Sequence, residues 1–188
     1  MAALWTSFLV VVLAEMGDKT QLVALALAAR YRRPWTVMLG ILLATTVNHA
    51  LAATVGVGVS RMLPPGALAW ALALSFIGFG VWTLVPDRAP ETSEATRWGP
   101  LLSTTVIFFL AEMGDKTQLA TVALGARFEA AGLVTVGTTL GMLVADGLVV
   151  FGGSHLTRLV SQLMLRRAAA ALFLVLGLVG VVGALAWR

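Results

Sequence analysis

Cysteine is absent from all 188 residues, which excludes a disulfide framework and any thiolate metal site. Charge is scarce as well: 12% of the residues are Asp, Glu, Lys or Arg, about half the roughly 25% of an ordinary soluble domain. Histidine occurs only twice and in no ligand spacing, which argues against a dedicated zinc or copper centre. No H-E-x-x-H stretch and no recognisable Ser/His or Cys/His nucleophilic pair is present, so nothing points to an enzyme. The N-terminus also lacks a basic n-region followed by a separate short apolar core. The first apolar run therefore reads as a retained transmembrane helix and not as a cleaved signal.

Apolar sequence is what the chain has in quantity, with 59% hydrophobic residues and a mean hydropathy of +0.93. A bilayer needs about 20 apolar residues per helix, and six stretches qualify, roughly 3–29, 35–59, 67–85, 100–126, 131–153 and 168–187. Trp5, Trp35, Trp70, Trp98 and Trp187 fall near their ends, where interfacial tryptophan is expected. The fold class expected is an all-α integral membrane protein. Its most polar segment, Pro86 to Gly99, separates a first three-helix unit (1–86) from a second (100–188), with 87–99 as linker. Ser154 to Arg167 sets Leu156, Leu159, Leu163 and Met164 against Arg158, Gln162 and Arg166, the pattern of an interfacial amphipathic helix.

The decapeptide LAEMGDKTQL occurs at Leu13 to Leu22 and again, unchanged, at Leu110 to Leu119. The same offset of 97 pairs Arg30 with Arg127, Gly40 with Gly137, Phe76 with Phe173 and Gly80 with Gly177. Each half then holds three helices, and an odd number makes the second half enter the membrane from the opposite side. This is an inverted repeat, an arrangement whose binding sites lie near the membrane midplane between the repeats. Gly137-x-x-x-Gly141 and the run Gly177, Gly180 and Gly183 read as helix-packing surfaces.

The net charge of +4 does not mark a nucleic-acid surface. Apart from Lys19 and Lys116, the eleven basic residues lie in loops or at helix ends, as in proteins oriented by their basic loops. Arg30, Arg32, Arg33, Arg88, Arg97, Arg158, Arg166 and Arg167 fall on one side and Arg61, Arg127 and Arg188 on the other. Basic loops stay inside, so the linker is expected in the cytoplasm and both termini outside.

Within each decapeptide Glu15, Asp18 and Lys19 match Glu112, Asp115 and Lys116. Ionisable groups at membrane depth are costly and point to function. On a continuous helix, residues three and four apart share a face, which puts Glu15, Asp18 and Lys19 together and lets Lys19 pair with Glu15 and Lys116 with Glu112. Gly17 and Gly114 either loosen the helix and free carbonyl oxygens or allow close helix approach. Four carboxylates, with Gln21, Gln118, Thr20 and Thr117 supplying neutral oxygens, form a hard-oxygen donor set suited to Ca²⁺, Mn²⁺ or Mg²⁺. With every group ionised, four carboxylates and two ammonium groups carry a charge of −2, which one divalent cation neutralises. Carboxylates that are desolvated and crowded hold protons more readily, so metal and protons compete, and that competition suffices for antiport. A Glu–Lys pair that merely bridges helices needs no such surplus of negative charge. Asp146 and His49 occupy equivalent positions beside Ala145 and Asn48. Asp146 is a candidate fifth ligand or proton relay and His49 a candidate relay, the alternative for both being an interhelical hydrogen bond.

Two E-x-G-D-K-T motifs, each in the first helix of a three-helix repeat, resemble the calcium/manganese cation–proton antiporter family. The resemblance covers essentially the whole chain. It implies ligand roles for Glu15, Asp18, Glu112 and Asp115, an inverted-repeat fold and a cytoplasmic central loop. With no organellar presequence or long N-terminal extension in the sequence, it further implies a bacterial inner-membrane exporter. Mn²⁺ or Ca²⁺ is the expected cargo, protons the counter-ion and the bilayer the remaining partner. No permanently bound cofactor and no nucleic acid is expected, and a homodimer stays open. The competing reading is a small-solute, amino-acid-type exporter whose carboxylate and lysine pairs bind a zwitterion. The excess of carboxylate favours a metal.

Overall fold

The computed structural model describes residues 1–85, 98–159 and 162–186 and, within these, every side chain except those of 154–159 and 162. The described residues form eight helices and no strand: α1 Ala2–Glu15, α2 Lys19–Tyr31, α3 Pro34–Met62, α4 Pro65–Thr83, α5 Gly99–Glu112, α6 Lys116–Phe128, α7 Ala131–Leu159 and α8 Gln162–Ala186. Most of the expected linker, up to residue 97, lies outside the described residues. Proline opens α3 and α4 at the first helical position, where its missing N–H has no helical partner to lose. Residues 163–167, expected in an interfacial connector, belong instead to α8. Their apolar and alanine-rich continuation carries the helix to Ala186 without a break. At Gly153 (φ 61°, ψ −159°) α7 bends.

Among the described residues, four segments, Pro34–Met62, Pro65–Thr83, Ala131–Gly153 and Leu163–Ala186, are long and apolar enough to cross a membrane. Their surfaces are inverted relative to a water-soluble helix. Helix α3 exposes Leu39, Leu43, Val47, Leu51 and Val55 and buries Gly40, Ala44, Asn48, Ala52 and Gly56. The same holds for α7, with Val136, Leu140, Val144 and Leu148 outward. Water does not tolerate contiguous aliphatic ridges of that size, whereas hydrocarbon does. Small residues turned inward allow close backbone approach, which carries helix association in lipid.

The stretches 3–29 and 100–126 are not continuous helices. Each is broken inside the decapeptide, between α1 and α2 and between α5 and α6. The cause is local. Gly17 (φ 86°) and Gly114 (φ 77°) take the left-handed conformation, open to glycine without a Cβ penalty. The preceding Met16 and Met113 are extended, and Asp18 and Asp115 stand at the N-caps of α2 and α6.

The two halves pack into each other. A Cβ on Gly137 of α7 would stand 2.4 Å from the Leu4 carbonyl oxygen of α1, and one on Gly40 of α3 2.7 Å from the Thr104 side chain of α5. Gly141 meets Phe8 just as Gly137 meets Leu4, so α1 and α7 run parallel. Between α4 and α8, Phe76 stacks on Phe173 at 6.2 Å, with Phe79 edge-on to both. Residues equated by the 97-residue offset thus meet one another or make matching contacts. This interleaving brings the two breaks together at the centre of the protein.

Candidate metal centre

Each break is tied down by its own sequence. The Gly17 N–H donates to Gln21 Oε1 at 2.8 Å and the Gly114 N–H to Gln118 Oε1 at 2.6 Å. A glutamine three residues after an Asp N-cap thus reaches back to satisfy an orphan donor of the helix start, a variant of the capping box. The Asp18 N–H donates to the Glu15 carbonyl at 3.0 Å and that of Asp115 to the Glu112 carbonyl at 3.1 Å, closing each loop. Two further bonds cross between halves. Gln21 Nε2 donates to the Ala145 carbonyl on α7 at 2.9 Å, and Asn48 Nδ2 on α3 donates to the Phe109 carbonyl at 3.0 Å. Phe109 lies in the last turn of α5, where carbonyls lose their helical partners.

The ion pairs differ from the sequence expectation. Lys19 lies 3.0 Å from Asp115, and Lys116 lies 3.2 Å from Asp18. The expected pairs, Lys19 with Glu15 and Lys116 with Glu112, presupposed an unbroken helix with its i, i+4 face. Gly17 and Gly114 abolish that face and direct each lysine to the aspartate of the other motif. The two bridges differ in access: the Lys19 side chain is 21% exposed, that of Lys116 only 4%.

Glu15 and Glu112 are fully buried, Asp115 nearly so, and one carboxylate oxygen from each lies within 4.8 Å of the others. Glu15 accepts hydrogen bonds from Thr20 Oγ1 at 2.5 Å and from Thr117 Oγ1. Both motif threonines, one from each half, therefore serve the same glutamate. Among the described residues, neither oxygen of Glu112 has a hydrogen-bond donor. The structure thus gathers Glu15, Asp18, Lys19, Glu112, Asp115 and Lys116 in one cluster. The side-chain oxygens of Gln21 and Gln118, expected to face a cation, are turned to their own loops. Asp146 and His49 are both fully buried, and Asp146 is within electrostatic reach of Glu15 and Glu112. The roles of Thr20 and Thr117 as hydroxyl donors and of Asn48 as a tie between halves were not read from the sequence. For Asn48 the only signal was a carboxamide inside an apolar span.

The sequence profile described as "Divalent cation/proton antiporter GDT1" matches the chain twice, over residues 3–91 and 100–187. The chain belongs to this family. GDT1 proteins are thus transporters of divalent cations and protons, not enzymes, and the profile covers each half of the chain in turn. One relative, named "Putative manganese exporter", from Vibrio cholerae serotype O1, is 45% identical over 179 residues, 95% of this chain and 90% of its own length. The GDT1-like protein sll0615 of Synechocystis is 28% identical over 86% of this chain and 88% of its own. Protein PAM71-homolog, chloroplastic, of Arabidopsis thaliana is 31% identical over 90% of this chain and 56% of its own. No solved structure matches the chain.

Proposed function

We propose that this GDT1 protein exports Mn²⁺, with Ca²⁺ as an alternative cargo, in exchange for protons across a bacterial inner membrane. One site near the membrane midplane, formed by both motifs, does the work. The observation that carries this reading is the meeting of Glu15, Glu112 and Asp115 within 4.8 Å, drawn from both halves and buried in an apolar protein. Asp18 completes the set of four motif carboxylates. Oxygen donors of this type suit hard divalent cations. The manganese named for the 45%-identical relative favours Mn²⁺ as the principal cargo.

In this reading Lys19 and Lys116 hold Asp115 and Asp18 while no metal is bound. A divalent cation displaces the ammonium groups, and protons replace the cation when it leaves. Gln21 and Gln118 hold the loops that present the ligands, with a second lone pair left on each side-chain oxygen. His49 is assigned an accessory role in proton movement. Each broken pair, α1 with α2 and α5 with α6, forms one membrane span, which makes six spans in all. The parallel run of α1 and α7 supports an inverted relation between halves. Helix α7 is the fifth span and runs with the first, as it does when direction alternates along the chain, and with that alternation α5, which opens the fourth span, opposes α1. The basic-loop count supports a cytoplasmic linker and external termini.

Reconstitution tests the function. Vesicles holding the purified protein are expected to move Mn²⁺ against a pH gradient with measurable proton counterflow. Glu15→Gln and Asp115→Asn are each expected to abolish the flux while the protein stays folded. Amino-acid transport with no metal flux under any gradient would overturn the proposal. The natural absence of cysteine makes orientation directly measurable, because Thr92→Cys should react with impermeant thiol reagents only from the cytoplasmic side. Labelling from outside would reverse the topology.

A further inference from the structure

Glu15, Glu112 and Asp115 of the motifs bring carboxylate oxygens within 4.8 Å of one another, and a buried acid outside the motifs, Asp146 on α7, lies within electrostatic reach of Glu15 and Glu112. Asp115 and Asp18 each have a lysine. Glu15 has two threonine hydroxyls. Glu112 and Asp146 have neither: both are fully buried, and none of their carboxylate oxygens has a hydrogen-bond partner among the described residues. A buried carboxylate without a partner is strongly unfavourable. Protonation would remove the charge but leave an O–H to satisfy, and no partner meets the Asp146 carboxyl among the described residues.

We propose that Asp146 is a fifth ligand of the cation site and sets its selectivity. The proposal rests on reading the motif cluster as the cation site. A divalent cation shared by Glu112 and Asp146 supplies the charge that both lack. Position supports this. Asp146 is within electrostatic reach of Glu15 and Glu112, and the residue before it is fastened to the first motif through the Gln21–Ala145 hydrogen bond. The equivalent position in the first half is His49, whose two nitrogens also lack hydrogen-bond partners among the described residues. The site is therefore asymmetric, with a carboxylate contributed by α7 where α3 carries an imidazole. An additional hard oxygen ligand favours cations that accept six or more oxygens over those that prefer fewer ligands.

The test is Mn²⁺ binding to the purified full-length protein in detergent, read from the loss of the free-Mn²⁺ resonance signal, with Ca²⁺ as competitor. Loss of groups that merely orient metal ligands costs about 10- to 100-fold in affinity, so Asp146→Asn is expected to weaken Mn²⁺ binding at least 10-fold. Asp146→Glu retains the charge but moves the oxygens by one methylene, and it should shift the Mn²⁺/Ca²⁺ ratio severalfold. Val149→Ala, which removes buried packing from the same helix, should bind Mn²⁺ as the wild type does. Wild-type affinity in Asp146→Asn overturns the proposal. So does an equal loss in Val149→Ala, which assigns the effect to core packing. If Asp146→Asn does not fold, an unchanged Mn²⁺/Ca²⁺ ratio in Asp146→Glu overturns it instead. Wild-type binding that is lost in Glu112→Gln but kept in Asp146→Asn removes the fifth ligand alone. No binding by the wild type removes the cation site itself.

Discussion

Lys19 and Asp115, from opposite halves of the chain, stand 3.0 Å apart, and the aspartate is almost entirely buried. The repeat makes a second bridge between Lys116 and Asp18, and that bridge is the more enclosed of the two. Removing one partner of a buried pair costs about 3–5 kcal/mol, because the remaining charge is left uncompensated. Lys116→Met is therefore expected to lose stability on that scale. Lys19→Met should lose less, since water reaches its site. Denaturant unfolding in detergent measures both, and equal losses would mean that burial does not govern these bridges.

The break in α5–α6 depends on a left-handed residue at Gly114, where space is not the constraint, because nothing lies within 4 Å of the Cβ it lacks. Asn enters this region far more readily than a β-branched residue. Gly114→Asn should keep most Mn²⁺ flux in vesicles and Gly114→Val should lose it. Similar flux in the two variants would show that the backbone conformation is not what matters there.

Gln21 makes two bonds, to the Gly17 N–H and to the Ala145 carbonyl. A typical hydrogen bond contributes about 0.5–1.5 kcal/mol, and a buried group left without a partner costs about 1–3 kcal/mol. Gln21→Leu is thus expected to reduce both stability and transport. Near-normal thermal unfolding of this variant would place the loop's support elsewhere.

The interleaved helices set a packing test. A Cβ at position 137 meets a backbone oxygen at 2.4 Å, whereas one at position 40 meets a side chain at 2.7 Å. Backbone yields less readily than a side chain, and overpacking costs about 1–3 kcal/mol. Gly137→Ala should therefore destabilise more than Gly40→Ala in thermal unfolding. The reverse order would mean that α1 moves away from α7 more easily than Thr104 turns.

The long helices were legible because unbroken apolar length is a composition signal, and the pairing of halves because the offset of 97 never slips. The breaks at Gly17 and Gly114 were harder to read. Apolar sequence on both sides suggested one span, and each glycine read either as a loosened helix or as a point of close helix approach, of which the structure shows the first. A face drawn on a continuous helix pairs Lys19 with Glu15, and that is what misassigned the lysines. The acidic residues themselves were legible, being charges where charge is costly. Which oxygens already hold a donor was not, because it depends on contacts between the two halves that no local pattern encodes.

The crossed bridges have a consequence for how the protein is made. Each lysine holds an aspartate of the other half, so a chain that ends after α4 lacks Lys116, the ammonium that holds Asp18 in the finished protein. Until the second decapeptide is made, neither Lys19 nor Asp18 can reach the partner it has across the two halves. A chain cut between the halves should therefore be degraded unless the missing half is supplied in trans.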